Sequence, residues 1–97
     1  MACIIDMRGA TDGVSETRPP TGVVTLKVRG DFAAGSRTTP IGRVSLQIRY
    51  ETGEWEDVSG SVTRETGQAR FRIPVGNVIR ARVSRCNGVD VEVWDES

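Results

Sequence analysis

The chain has 97 residues, too few for more than one domain, and a domain of this size buries roughly 64% of the surface that its unfolded chain exposes. Hydrophobic residues make up 37% and there are 11 glycines, an ordinary balance for a folded globular domain. No histidine occurs, which excludes Ser-His-Asp and Cys-His nucleophiles, histidine relays and histidine-ligated metals; thirteen Lys+Arg balance thirteen Asp+Glu, so no net field draws the chain to nucleic acid or an anionic membrane.

Residues 1–20 open with an apolar patch (Ile4, Ile5, Met7), turn to Gly, Thr, Ser and charge, and close on Pro19-Pro20. Neither helical nor alternating periodicity persists there, and the segment reads as an extended N-terminal arm, loose when the protein is alone. The alternative is a first strand at residues 4–7 that pairs with the body. Residues 21–97 read as the domain proper.

From residue 21 the pattern is β. Val24, Leu26 and Val28 share one face and Thr25 and Lys27 the other, the two-residue period of a half-buried strand. A loop over residues 30–42 has Phe32 and Ile41 as its large apolar anchors. In residues 43–50, Val44, Leu46, Ile48 and Tyr50 point inward and Arg43, Ser45, Gln47 and Arg49 outward, which implies one wet face. A hairpin follows at residues 51–54, and two registers are open. One sets Tyr50 opposite Trp55; the other pairs Leu46 with Val58 and leaves Trp55 over Arg49.

Ser59-Gly60 interrupts the pattern, Val62 marks a short strand, and Ala69, Phe71 and Ile73 alternate with Gln68, Arg70 and Arg72 until Pro74. The last segment reads as a hairpin with a three-residue loop, Cys86-Asn87-Gly88. This pairs Ala81 with Val93 and Val83 with Val91 inside, and Arg82 with Glu92, Ser84 with Asp90 and Arg80 with Trp94 outside. Cys86 then lies in the loop and outside the core. No window keeps a helical apolar stripe. The expected fold is all-β: a small antiparallel β-sandwich or jelly-roll-like domain of six to eight short strands with an N-terminal arm.

Chemical motifs are sparse. Glu54, Glu56 and Asp57 crowd one hairpin beside Glu51, but a sandwich flank has little cleft, and the Ca²⁺-loop spacing is absent. No glycine-rich phosphate loop occurs. Cys3 and Cys86 form no metal-type spacing and read as free thiols made in a reducing cytoplasm, with a disulfide between them as the alternative. No signal peptide or membrane span is expected, and no cofactor.

Charge is segregated along the chain. Residues 64–85 hold six Arg and one acid, whereas residues 51–57 and 90–96 each hold four acids and no base. Twelve of the thirteen basic residues are Arg, either because the coding genome is GC-rich or because Arg serves an interface. If Arg70/Arg72 and Arg80/Arg82 stand on neighbouring strands, they make a basic stripe. That stripe serves either cross-strand ion pairing or docking onto a partner protein, with Arg80 and Trp94 as anchors.

The alternating strand ending at Tyr50, the Thr52-Gly53 turn, Trp55 before Asp57-Val58, Phe71-Arg72-Ile73-Pro74, and residues 78–83 leading through a glycine turn into residues 89–93 form a series. It resembles small virion-surface proteins of tailed bacteriophages: capsid-decorating or cementing β-sandwich proteins and related head and tail accessory domains. The resemblance spans residues 43–94 and implies a structural, non-enzymatic role with no active site. It implies a capsid decoration protein that binds the major capsid protein or another virion protein across subunits and oligomerises as a trimer or dimer, while the zero net charge gives no expectation of nucleic-acid or membrane binding. The protein would be made in the host cytoplasm and reside in the virion. On this reading Ile4, Ile5 and Met7 anchor the arm on the shell, and Arg70, Arg72, Arg80, Arg82 and Trp94 complete the interface. A tail, baseplate or head-tail accessory role is the neighbouring alternative. A carbohydrate-binding module is the alternative from another class, and it would need a coplanar platform from Trp55 and Trp94.

Overall fold

The computed structural model describes residues 2–20, 22–32, 42–49, 53–74 and 76–96. The strands are β1 (Ala2–Ala10), β2 (Gly13–Val14), β3 (Val23–Asp31), β4 (Arg43–Arg49), β5 (Trp55–Asp57), β6 (Gly67–Arg72), β7 (Val78–Ser84) and β8 (Gly88–Asp95), with no helix among the described residues. They form two four-stranded antiparallel sheets, ordered β1-β8-β3-β6 and β2-β7-β4-β5. The chain is the all-β sandwich that its alternating pattern predicts.

The core fills the space between the sheets. Val24, Leu26, Val28, Val89, Val91 and Val93 from the first sheet face Val44, Leu46, Ile48, Ile79, Ala81 and Val83 from the second, and all are buried. Each is worth on the order of 1.5–3 kcal/mol for a full-sized aliphatic side chain removed from water. Ser61 closes one side of this core. Its buried hydroxyl accepts from the Leu46 N–H at 3.1 Å and donates to the Leu46 C=O at 3.0 Å, substituting for a strand neighbour where the edge of the second sheet bends away.

Six of the seven connections between described strands pass from one sheet to the other, and only β4–β5 is a hairpin within a sheet. That hairpin takes the second of the two registers, with Arg49 opposite Trp55 and Gln47 opposite Asp57. Tyr50 lies outside the described residues, as does Ile41; Phe32 is buried as expected.

The expected β7–β8 hairpin does not form. β7 pairs with β2 and β4, β8 pairs with β1 and β3, and residues 85–87 cross the sandwich. The crossing is held by the Cys86 N–H, which donates to the Thr11 C=O, and by the Asn87 N–H, which donates to the Asp31 C=O, each at 2.9 Å. Arg85 takes a left-handed φ of 55° to make the bend. Cys86 is therefore in the core, 5% exposed, and not outside it. Burial pushes its thiol pKa up. Beneath it, a Cβ on Gly42 would stand 2.7 Å from the Arg85 carbonyl oxygen, 2.8 Å from that of Phe32 and 2.9 Å from the Cys86 sulfur, so only glycine fits. Both cysteines are free, and Cys3 is exposed on β1.

The opening segment follows the strand alternative and not the loose arm. β1 pairs with β8 from Ala2↔Asp95 to Ala10↔Val89, and Ile5 is 2% exposed in the core. Residues further on run beside β7, with Arg18 and Ile79 exchanging backbone hydrogen bonds at 2.9 Å. The wet face expected for β4 is also corrected. Ser45 and Gln47 are buried because β4 is an inner strand whose outer face is covered by side chains from its neighbours.

Candidate functional site

Strand alternation gives each sheet one outer face, and the two differ in how their charges are satisfied. On the first sheet most acids find a base, although Arg29 and Arg72 pair with no carboxylate among the described residues. The Arg8 guanidinium lies 2.9 Å from Asp6, 3.7 Å from Asp90 and 3.8 Å from Glu92, and these three acids raise its pKa, Asp6 most. The Trp94 indole N–H donates to Glu92 at 3.0 Å, while the Lys27 ammonium sits 5.3 Å from the Trp94 ring centroid. Glu96 accepts from the Thr25 hydroxyl at 2.7 Å and from Arg70 Nε at 2.8 Å. Two open depressions of about 390 and 500 Å³ on this face include Arg8, Lys27, Asp90 and Glu92, and Lys27, Arg70, Trp94 and Glu96, among their walls.

The second sheet's outer face is basic. Arg43 and Arg49 come from β4 and Arg80 and Arg82 from β7, and none of the four is ion-paired to a carboxylate among the described residues. Arg82 and Arg43 continue the face along β7 and β4 toward Ser45 and Ser84. The other two meet on Trp55: Arg49 stands directly opposite, its guanidinium carbon 5.3 Å from the ring centroid, and Arg80 reaches across β4 to 4.1 Å. Gln47, 5% exposed between them, accepts from Arg80 Nε at 2.9 Å and donates to Asp57 at 3.2 Å, which fixes the Arg80 fork. Burial first, and then the charges of Arg82 and Arg49, lower the Arg80 pKa; the guanidinium stays charged in a field that an anionic partner would relieve. Val14, 48% exposed and opposite Arg82, adds an apolar rim.

The residues singled out from sequence are therefore divided. Ile5 is in the core, with Ile4 and Met7 packed against it, so these three are strand anchors of the domain itself. Arg70 and Arg72 stand on the first sheet and Arg80 and Arg82 on the second, which breaks the expected stripe into two parts on opposite faces of the sandwich. Arg82 faces Ser45 and Val14, not Glu92, and Arg80 contacts Trp55, not Trp94. The meeting of Arg49 and Arg80 on Trp55, and the shared face of Arg43 with Arg82, are not evident in the sequence pattern. The signal for that meeting was the open register that leaves Trp55 over Arg49. Trp55 and Trp94 lie on opposite outer faces and do not form a common platform. Glu54, Glu56 and Asp57 are exposed, and no group of three or more Cys, Asp or Glu could hold a metal ion among the described residues.

No protein-family model matches the sequence, no curated protein matches it, and no solved structure matches its fold.

Proposed function

We propose that the chain is a non-enzymatic structural protein of a bacteriophage virion, a capsid decoration protein that binds across capsid subunits through the outer face of its second sheet and oligomerises on the shell as a dimer or trimer. The observation that carries this reading is an outer face with four arginines, Arg49 and Arg80 of them against the Trp55 ring, and no carboxylate ion-paired to any of the four among the described residues. Arg and Trp dominate the energetics of protein interfaces, and a guanidinium fork held in place by Gln47 loses little entropy on meeting a carboxylate. The partner is then an acidic surface. The sandwich measures 40 × 29 × 20 Å, so its broad side, roughly 1,000 Å² in outline, is the upper bound on a contact for which a standard interface needs about 800 Å² per partner. Rigid strands on both sides of the cluster mean that docking needs no ordering of an arm. Attachment at subunit junctions stabilises the assembled shell, because the bound chain favours the lattice over free subunits by mass action.

The test is co-sedimentation of the purified chain with particles assembled without it, followed by thermal disruption of those particles. Saturable binding with a raised disruption temperature is expected. Absence of binding to heads, with binding to isolated tails, would move the protein to a tail or baseplate role; no binding to either would overturn the reading.

A further inference from the structure

Four strands end the two sheets, and three of them are poor templates for another chain. β2 has 2 residues, β5 has 3, and the pairing of β1 with β8 is interrupted twice, between Cys3 and Ile5 and between Met7 and Ala10. Short and bulged edges keep foreign strands from adding to a sheet. β6 differs. Its 6 residues pair with β3 without a break, from Val23↔Arg72 to Val28↔Gly67, and they contain no proline. Its other edge meets no strand among the described residues.

The sandwich is also open along that edge. A groove of about 200 Å³ runs between β6 and residues 60–63; Leu26, Val28, Val62, Ala69 and Phe71 form its apolar part, and polar residues including the acid Glu65 form the rest. Val62 is 44% exposed there, and Ala69 is exposed at an inward-facing position that alternation reserves for the core. The groove is smaller than the roughly 300–1,000 Å³ of small-molecule sites and suits side chains entering from a neighbouring strand.

Charge selects the occupant. β6 carries Arg70 and Arg72 outward, and Arg64 lies just before it. Arg70 is held by Glu96 at 2.6 Å, while Arg72 and Arg64 pair with no carboxylate among the described residues. A second copy of β6 laid alongside would bring a second Arg70/Arg72 pair onto one face, which like-charge repulsion opposes.

We propose that β6 accepts, as a fifth strand of the first sheet, an extended segment of a partner protein that alternates aliphatic and acidic residues. The aliphatic side chains enter the groove between Phe71 and Val62, the carboxylates lie beside Arg72, and main-chain hydrogen bonds supply the common part of the affinity. This site is independent of the basic face on the second sheet.

A capped peptide alternating Glu and Val, added to the full chain, tests it by amide hydrogen exchange. Slowed exchange within residues 67–72 is expected, together with binding about tenfold weaker for Val62→Asp at unchanged melting temperature. Arg72→Glu should shift preference toward the same peptide with Lys in place of Glu. The proposal is overturned if the Glu-Val peptide gives no protection, if the Lys peptide binds the unaltered chain equally well, or if protection of residues 67–72 rises with protein concentration alone.

Discussion

The Arg80 guanidinium carbon lies 4.1 Å from the centroid of the Trp55 ring, although β7 and β5 are separated by β4 and the two residues touch only by reaching over Gln47. A contact of this kind at a partly exposed site is worth about 0.5–1 kcal/mol. A double-mutant cycle of Trp55→Leu with Arg80→Gln, read by denaturant unfolding, should return a coupling of that size. Zero coupling would mean that the ring and the guanidinium are neighbours without interaction.

Ile5 distinguishes a strand from an arm. Because its side chain is in the core, Ile5→Ala should cost about 2–5 kcal/mol of unfolding free energy, whereas Val14→Ala at the exposed rim should be close to neutral. An unchanged melting temperature for Ile5→Ala would show that the opening segment contributes nothing to the folded body.

Gly42 is fixed by backbone on two sides. Gly42→Ala would force a Cβ to within 2.8 Å of two carbonyl oxygens that belong to the crossing and to β3's exit, with a cost of about 1–3 kcal/mol. Gly67→Ala is the control, since a Cβ there meets nothing within 4 Å. Equal stability of the two variants would contradict the packing of residues 85–87 over Gly42.

Glu96 gives stability a dependence on pH. The Thr25 hydroxyl first, and then Arg70, hold its carboxyl below the usual carboxylate range. A folded pKa below the unfolded one means that the stabilisation is complete above the unfolded value and is lost as pH falls through the folded value. Melting temperature should therefore drop on acidification, and Thr25→Val should make that drop shallower. An acid profile identical in the two proteins would remove Glu96 from the account.

Alternation made the faces legible and left the neighbours undetermined. Val83 and Val91 point inward as their two-residue period requires, but two strands facing each other across a core satisfy that period as well as two strands side by side. The pairing of Arg82 with Glu92 followed from assuming adjacency, and it failed for that reason. Cys86 looked like a loop residue because Asn87-Gly88 is a turn signal; the signal marks a bend, and the bend crosses between sheets. Ile4, Ile5 and Met7 lack clean alternation because β1 is bulged at Ile4 and again near Gly9, where the Gly9 N–H donates to Asp90. The basic cluster was only half visible, because Arg49 and Trp55 come together through a hairpin register that side-chain pattern left open.

The measurement that bears most directly on the proposed role is occupancy of decoration-free particles by two charge-reversed proteins. One carries Arg80→Glu with Arg82→Glu on the second sheet, and the other carries Arg29→Glu on the outer face of the first. Docking through the second sheet predicts that the double reversal abolishes attachment while Arg29→Glu binds like the unaltered chain. Retained attachment of the double reversal at unchanged melting temperature would contradict it.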